Sequence, residues 1–185
     1  EVINMEKYIF WYHNNILNQD QINQINLICK QHYNPSYKDS PAEGVVKTAD
    51  IKLIEWTYLK PSMQHVLDIW LETNKFEFGF QSTDLDVWNV NSYDSKNSGE
   101  YGFHYDGSNS LVYDIKLTGI VNISDEPYEG GEFIAYHDDE FKEISEIKIP
   151  GSSILLRHGT MHKVNPVTKG TRKTLSYWLA GPRFV

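Results

Sequence analysis

The sequence is short of cysteine, of long apolar runs and of internal repeats, and each shortage narrows the class of protein. Cys29 is the only cysteine among 185 residues, so no disulfide can form within the chain, which favours a reducing, cytoplasmic location. No run of about 18 apolar residues is present, so no membrane-spanning helix is predicted. Residues 1–5 lack the basic and apolar layout of a signal peptide. The length suits one domain with its own core.

Basic residues are in the minority, and they cluster at the C-terminal end. The chain has 17 Lys and Arg against 25 Asp and Glu, a net charge of −8, so it is not suited to unspecific binding of nucleic-acid phosphates. From Arg157 onward, however, six Lys and Arg residues occur without a single Asp or Glu. That end is expected either to face an acidic group or to form part of an ordinary mixed surface. The oligomeric state is left open.

Two amphipathic helices, expected to pack on the outside of a sheet, are predicted in the first half of the chain. The first follows Asn18, a residue type suited to the N-cap position. Its apolar face consists of Ile22, Ile25, Ile28 and Cys29. The second is predicted to have Pro61 at its first helical position and to end near Asn74. Its apolar stripe consists of Met63, Val66, Leu67, Trp70 and Leu71.

Residues 35–50, between the two helices, are predicted to form a long loop because Ser, Pro, Lys and Gly are frequent there. Loops of that length in a compact domain are often lids or binding loops. This one is therefore expected to be either a substrate loop or disordered. With it, residues 1–84 are predicted to be a helix-rich support for the remainder of the chain.

From residue 85 onward, short strands separated by turns are predicted. Apolar residues alternate around Ile115 and Leu117, and turn residues such as Pro150 and Gly151 separate the segments. The predicted strands are 85–93, 110–124, 132–136, 144–149, 153–157 and 171–180. This pattern favours a mainly β protein with supporting α-helices, in which residues 85–185 form a jelly roll, a double-stranded β-helix or cupin-like barrel. Residues 1–185 are expected to be one domain.

His104 and Asp106 form a candidate metal site. They lie at the end of a predicted strand, two positions apart, and residues i and i+2 of a strand point to the same face. An imidazole nitrogen and a carboxylate oxygen can therefore be offered to one ion. Such a triplet is a weak signal by itself, so a third ligand is needed. His13, His32 and His65 stand apart from other ligand types and are interpreted as surface or core residues.

The third ligand is expected from His158 or His162, of which His162 is preferred. Their spacing of four would suit a helical zinc pair, but Gly159 and Pro166 argue against a helix there. We call His104, Asp106 and His162 the triad. Two histidines and one carboxylate on one face of an ion leave three positions open, which is typical of non-haem Fe(II) oxygenases.

Arg172 is the expected anion-binding residue of this site. It follows His162 by ten positions and begins a predicted strand. A 2-oxoglutarate molecule chelating the metal would keep its far carboxylate for a second partner, and a buried guanidinium fork suits that carboxylate. A metal-binding module without turnover would not need this arginine.

The second half of the chain resembles the prolyl 4-hydroxylase-like 2-oxoglutarate/Fe(II) dioxygenases, and within them the PKHD-type hydroxylases. The matching stretches are Tyr93 with 99–106, then 117–124, 128–133, 150–155 and 162–172. They occur in the family order and cover about half of the chain. Residues 1–84 match only loosely. The resemblance implies that residues 85–185 are the catalytic core.

Position by position, the resemblance implies a role for several residues. The triad ligates iron, and Arg172 binds the distal carboxylate of 2-oxoglutarate. Tyr93 matches a tyrosine that hydrogen-bonds this cosubstrate, and Tyr101 matches an aromatic residue on the substrate side of the pocket. Asn122 matches a position that is a cosubstrate-contacting tyrosine in some relatives.

Two further residues are placed by strand periodicity. Thr174 follows Arg172 by two positions, so on a strand it shares the same face and is expected either to add a hydroxyl to the same carboxylate or to pack ordinarily. Trp178 lies further along that face and is interpreted as core. The acidic stretch 137–140 is interpreted as a turn between strands and not as a metal site.

The implied reaction is hydroxylation of a peptidyl residue such as proline, with release of succinate and CO₂. The implied cofactors are Fe(II), 2-oxoglutarate as cosubstrate, O₂ and, as an optional reductant, L-ascorbate. A peptide or protein substrate is favoured. Hydroxylation of a small metabolite or a nucleobase, and a non-catalytic metal-binding jelly-roll module, remain as alternatives.

Overall fold

Strands make up most of the second half of the chain, and the two α-helices lie in the first half. A computed structural model describes residues 10–34, 43–82, 87–107 and 113–184. The helices are α1 (Gln19–His32) and α2 (Trp56–Thr73), the latter continued by a π-helical turn, Asn74–Phe78. The strands are β1 (Phe10–His13), β2 (Asp50–Glu55), β3 (Val87–Asp94), β4 (Tyr101–His104), β5 (Tyr113–Asn122), β6 (Glu129–Gly130), β7 (Phe133–His137), β8 (Glu140–Glu143), β9 (Ser153–Arg157), β10 (His162–Val164), β11 (Val167–Lys169) and β12 (Thr171–Pro182).

Two antiparallel sheets form the body of the fold. The larger has six strands in the order β1-β9-β5-β12-β3-β2, and the smaller has four in the order β4-β10-β7-β8. A two-stranded ladder joins β11 and β6. A buried cluster that includes Ile120 and Ile154 from the larger sheet and Phe133 and Val164 from the smaller one fills the space between them. This is the jelly-roll arrangement that the sequence predicted.

The helices cover the other face of the six-stranded sheet. Ile22, Ile25, Met63 and Trp70 from the helices are buried against strand residues such as Leu175. Burial of these apolar faces stabilises the sheet from outside, and the prediction that both helices pack there is confirmed. No helix within the described ranges combines the length and apolar character needed to cross a membrane.

The start of α1 was predicted correctly and the start of α2 was not. Asn18 caps α1 by accepting a hydrogen bond from the Gln21 N–H, and the Gln21 side-chain oxygen accepts one from the Asn18 N–H, which makes a capping box. Helix α2 begins at Trp56, so Pro61 lies inside it and not at its first position. Leu59 is fully buried, and its burial offsets the backbone bond that Pro61 cannot make.

The predicted strand 144–149 is wrong. Residues Ser145–Lys148 form a short 3₁₀ helix, and the strand lies just before it, at β8. Ile144 and Ile147 are both buried while Ile149 is about half exposed. The apolar spacing is therefore three, which fits a 3₁₀ turn. The other predicted strands are present, with residues 85–86 and 110–112 outside the described ranges.

Part of the predicted long loop lies along the smaller sheet. Residues 35–42 are outside the described ranges, but the Thr48 N–H donates to the Glu100 carbonyl and the Gly102 N–H donates to the Val46 carbonyl. The segment 46–48 thus extends the sheet beside β4.

The basic C-terminal end forms a mixed surface. Lys169 pairs with Glu129 at 2.9 Å and Lys173 with Asp125 at 2.6 Å. These acidic partners come from earlier in the chain, so part of the one-sided charge of the sequence is balanced in the fold.

Candidate metal centre and its cavity

The triad comes together where β4 and β10 meet. His104 ends β4 and is the register partner of His162, the first residue of β10. Asp106 follows two residues after β4. One ligand atom from each of the three lies within 4.8 Å of the others, the only such group of three metal-ligating residue types among the described residues. Asp106 Oδ1 is 3.7 Å from His104 Nε2, and Oδ2 is 3.7 Å from His162 Nε2.

Backbone carbonyls fix the orientation of both imidazoles. His104 Nδ1 lies 2.8 Å from the Gly102 carbonyl oxygen and His162 Nδ1 lies 2.9 Å from that of Thr160. A carbonyl only accepts, so each Nδ1 carries the proton and each Nε2 is left as a ligand atom. Burial, followed by the proximity of His162, lowers the pKa of His104 to about 4, so this imidazole is neutral near neutral pH.

Asp106 is oriented by a hydroxyl from the larger sheet. Thr118 on β5 donates to Asp106 Oδ2 at 2.7 Å. Hydrogen bonds of this kind commonly hold a ligating carboxylate in one rotamer. The donor set of two imidazoles and one oriented carboxylate can hold a divalent metal ion, with coordination positions left on its open side.

A cavity of about 240 Å³ opens beside the triad, and Arg172 lies in its wall. We call it the triad cavity. Arg172 is 1% exposed, and its Nη2 has no hydrogen-bond partner among the described residues. Its guanidinium carbon lies 5.2 Å from the centre of the Tyr93 ring, which also lines the cavity. A buried guanidinium without an anion is unfavourable, so this wall is suited to an anionic ligand.

Thr174 also faces the triad cavity. Its hydroxyl accepts a hydrogen bond from the Asn91 carboxamide at 3.1 Å, and the same amide donates to Ser176 at 2.8 Å. Each hydroxyl thus has an acceptor position in use while its own proton remains available. Thr174 can therefore donate to an anion beside Arg172.

Tyr101 lines the cavity from β4 and stacks on His104. The ring centroids are 3.5 Å apart and the rings nearly parallel. Lys47 Nζ lies 4.2 Å from the other side of the Tyr101 ring centre. The tyrosine is therefore held against the triad, on the open side of the cavity.

Asn122 does not line the triad cavity. Its amide nitrogen donates to the Tyr128 hydroxyl and to the carbonyls of Ile147 and Lys148, and its oxygen accepts from the Ser124 N–H. Both ends of its amide are thus engaged, with the 3₁₀ turn and with Tyr128 and Ser124. The contact that some relatives make from this position has no counterpart in this side chain.

Trp178 was interpreted as core, and that is wrong. It lines the triad cavity, and its indole Nε1 is buried without a partner among the residues described. Sequence reasoning also missed other polar wall residues, among them Lys47, Asn89, Thr118 and Ser176. The alternation along β12 could have found Ser176 and Trp178, because they share the parity of Arg172.

His158 lies elsewhere. It is exposed, packs at 5.3 Å from the Phe184 ring and lines a separate cavity. The acidic stretch 137–140 is the turn between β7 and β8, as predicted.

Fold and site together define a class, the jelly-roll proteins with a two-histidine, one-carboxylate centre and open metal positions. Residues 88–180 match the model of the 2OG-Fe(II) oxygenase superfamily. The chain belongs to that superfamily. Membership implies Fe(II), 2-oxoglutarate and O₂, and the donor set with the partnerless Arg172 nitrogen fits them.

Similar proteins point the same way. A PKHD-type hydroxylase of Herminiimonas arsenicoxydans is 38% identical over 87 residues, which are 43% of this chain and 37% of that protein. The matched stretch therefore spans less than two fifths of that relative. A prolyl-4-hydroxylase of Pseudomonas putida has the same fold, with a TM-score of 0.69 at 15% identity, covering 96% of this chain and 94% of the other. A prolyl hydroxylase of Trichoplax adhaerens, solved with a hypoxia-inducible factor peptide, gives 0.69 at 16% identity, covering 92% and 83%.

Proposed function

We propose that this chain is a 2-oxoglutarate- and Fe(II)-dependent dioxygenase that hydroxylates a peptidyl residue such as proline. The carrying observation is Arg172, a buried guanidinium with no anionic partner among the described residues, in the wall of the cavity beside the triad. A metal-binding module would gain nothing from burying that charge, whereas the distal carboxylate of 2-oxoglutarate matches it.

Each residue has a defined task in this proposal. His104 and His162 bind the metal through Nε2, and Asp106 binds it through the carboxylate that Thr118 orients. Arg172, with Tyr93 and Thr174, holds the distal carboxylate, and Tyr101 borders the substrate. When bound, Fe(II) with 2-oxoglutarate and O₂ supplies the oxidation, in which one oxygen atom enters a substrate C–H bond and the other enters succinate as CO₂ leaves.

We also propose that residues 1–185 act as one domain. Residues 1–84 would support the catalytic core 85–185, because helix and strand side chains share one buried cluster. A cytoplasmic location remains a prediction from the cysteine content. Burial raises the pKa of the Cys29 thiol to about 12, so this cysteine is unreactive.

A peptide substrate is favoured by the solved structures of similar fold, because several are prolyl hydroxylases and one was solved with a peptide. The direct test is to incubate the Fe(II) enzyme with 2-oxoglutarate and an unbiased pool of peptides and metabolites. Succinate formation together with a product that has gained one oxygen atom, detected by mass spectrometry, is expected only from the peptide fraction. Oxidation confined to the metabolite fraction would move the proposal to a small-molecule substrate.

Arg172 is tested by titrating 2-oxoglutarate into the anaerobic Fe(II) protein and following the visible charge-transfer band of the chelate. Leaving one partner of a buried charge pair alone costs about 3–5 kcal/mol, so Arg172→Ala should weaken cosubstrate binding on the order of 10²–10³-fold. Arg172→Lys keeps the charge without the planar fork and should lose less. The exposed Arg183→Ala is the matched control. Wild-type affinity in Arg172→Ala would refute the 2-oxoglutarate assignment.

Replacement of any triad residue by Ala should abolish tight Fe(II) binding while the fold remains intact, because one of three protein ligands is lost. His158→Ala serves as the histidine control and should bind iron normally. Iron binding is measured by equilibrium dialysis, and folding by circular dichroism. Normal binding in His162→Ala, or loss in His158→Ala, would show that the third ligand is misassigned.

A further inference from the structure

Two polar atoms on the wall of the triad cavity have hydrogen-bonding capacity that is not used within the described chain. Asn89 Oδ1 and Trp178 Nε1 are buried and have no partner among the described residues. Both residues line the cavity, and Asn89 is 9% exposed. Arg172 Nη2 is a third atom of this wall that is buried and has no hydrogen-bond partner among the described residues. Buried polar atoms are normally satisfied, so a ligand that completes them is expected.

The two residues are neighbours on one face of the larger sheet. Ser176 of β12 is the register partner of Asn89 on β3. Trp178 follows by two positions and therefore projects from the same face, diagonally across from Asn89. Trp178 is in turn the register partner of Thr118, whose hydroxyl holds Asp106. The pair thus lies at the metal end of the cavity wall, four to six residues along β12 from Arg172.

The cosubstrate cannot satisfy both members of this pair, because it has no donor for Asn89 Oδ1. At neutral pH 2-oxoglutarate offers two carboxylates and a keto group, all of them acceptors, and Asn89 Oδ1 requires a donor. Thr174 and Ser176, which accept hydrogen bonds from Asn91, still have hydroxyl protons to donate. Neither donates to Asn89 Oδ1, which has no partner among the described residues. An adjacent donor and acceptor therefore remain for the molecule that is oxidised.

We propose that Asn89 and Trp178 form a substrate subsite that binds the main-chain N–H and C=O of one residue of an extended peptide. In an extended chain the N–H and C=O of the same residue point to the same side, so Asn89 Oδ1 accepts from the N–H and Trp178 Nε1 donates to the C=O. Proline has no N–H. The residue in this subsite is therefore not proline, but a residue beside the oxidised one or a non-proline residue that is itself oxidised. The inference rests on the proposed function and specifies its substrate.

The test uses two small probes that differ by one hydrogen-bond donor. Acetylglycine N-methylamide presents the N–H and C=O of one residue, and acetylsarcosine N-methylamide carries a methyl group on that nitrogen. The protein is loaded with Zn(II) and 2-oxoglutarate, and the Trp178 indole N–H is followed by ¹⁵N NMR. Its signal is assigned among the five tryptophans from the spectrum of Trp178→Phe. The glycine probe should shift this signal saturably, and the sarcosine probe should bind about fivefold to tenfold more weakly, the factor that one uncharged hydrogen bond contributes.

Asn89→Leu should remove the preference between the probes, whereas Asn23→Leu, the same change at an exposed helix position, should keep it. Equal binding of both probes to the wild type, no shift with either probe, or a preference that survives Asn89→Leu would overturn the subsite. The charge-transfer titration with 2-oxoglutarate is run on the same variants. Absence of that band in the wild type would count against the proposed function. The difference in affinity between the two probes tests only the subsite.

Discussion

The two faces of the sheet formed by β3 and β12 differ in chemistry, although alternating residues of the same two strands supply both faces. Leu175, Tyr177 and Leu179 of β12 point to the helices and are fully buried in an apolar cluster. Arg172 and Thr174, on the opposite face, are buried as deeply but line the triad cavity. Burial therefore does not distinguish the two faces. What distinguishes them is the chemistry of the buried side chains, which are mainly apolar on the helix face and mainly polar on the cavity face.

This contrast separates stability from binding at the level of neighbouring residues. On the helix face, apolar side chains are satisfied by packing. On the cavity face, polar groups such as those of Arg172, Asn89 and Trp178 are left without partners among the described residues. A substitution on one face should therefore affect folding, and a substitution one residue away should affect ligand binding.

The largest expected effect on stability comes from the helix face. Leu175→Ala removes a fully buried side chain and should lower the free energy of unfolding by about 2–5 kcal/mol, because a cavity remains. The affinity for 2-oxoglutarate should stay within about threefold of wild type in the folded protein, since a helix-face side chain does not touch the site. Urea unfolding and the charge-transfer titration measure the two quantities. A loss of affinity comparable to that of Arg172→Ala would break the separation of the faces.

Replacement of Thr118, on the cavity face, is expected to have an intermediate effect, and the affected quantity is the affinity for Fe(II). Thr118→Val keeps the shape of the side chain and removes the hydroxyl that holds Asp106, so Fe(II) affinity should fall about 10- to 100-fold. The unfolding free energy of the metal-free protein should change little. Iron affinity is measured by competition with a chelator.

Gly119 follows Thr118 and faces the helices, so its replacement is the matched control for Thr118→Val. A Cβ there would collide with the Trp70 indole on the helix face, so Gly119→Ala should cost about 1–3 kcal/mol of stability through overpacking and leave iron affinity unchanged. If Thr118→Val lowered stability instead of iron affinity, its hydroxyl would be a packing group and not a positioning group.

The smallest expected effect on stability comes from a group of hydrogen-bonded polar side chains on the helix face. Trp70 Nε1 donates to Ser153 Oγ at 3.1 Å, Ser153 lies 3.3 Å from His13 Nδ1, and His13 Nε2 lies 2.9 Å from the Thr73 hydroxyl. Burial lowers the pKa of His13 below its usual 6.5. His13 in the unfolded chain therefore binds a proton more readily than His13 in the folded protein. Its contribution to the free energy of unfolding is complete above about pH 6.5, and it declines as the pH falls towards the lower pKa of the folded state.

Urea midpoints of the wild type and His13→Gln, compared at mildly acidic and neutral pH, measure this dependence. The wild type should lose stability on acidification, and the variant should lose less. A pH dependence unchanged by the substitution would mean that His13 is not held neutral by its neighbours.

Sequence reasoning located the triad because strand parity is a strong local rule. His104 and Asp106 are two positions apart, so strand alternation predicted a shared face. The structure brings the two side chains together, although Asp106 lies just beyond the end of β4. The choice of His162 over His158 also agrees with the structure's geometry, since Gly159 and Pro166 do exclude a helix there. Arg172 followed from its place at the start of a strand, and its burial could not be known from that place.

The errors arose where long-range packing overrode a local signal. Pro61 is a typical first residue of a helix, but burial of Leu59 extends α2 backwards past it. Trp178 resembles core by composition, although its parity with Arg172 along β12 places it on the cavity face, beside Thr118. Asn89 has no local signature, because its significance lies in the partner that its oxygen lacks.

The position of β12 has a consequence for biosynthesis. This strand is the last of the described chain, yet it lies in the middle of the larger sheet, between β5 and β3. Until the ribosome has released residues 171–182, β5 and β3 each have an edge without its final neighbour, and such edges are prone to pair with other chains. The sheet, and with it the wall that carries Arg172, is therefore completed only after translation of this segment. The nascent chain passes through a stage in which chaperone protection would matter most.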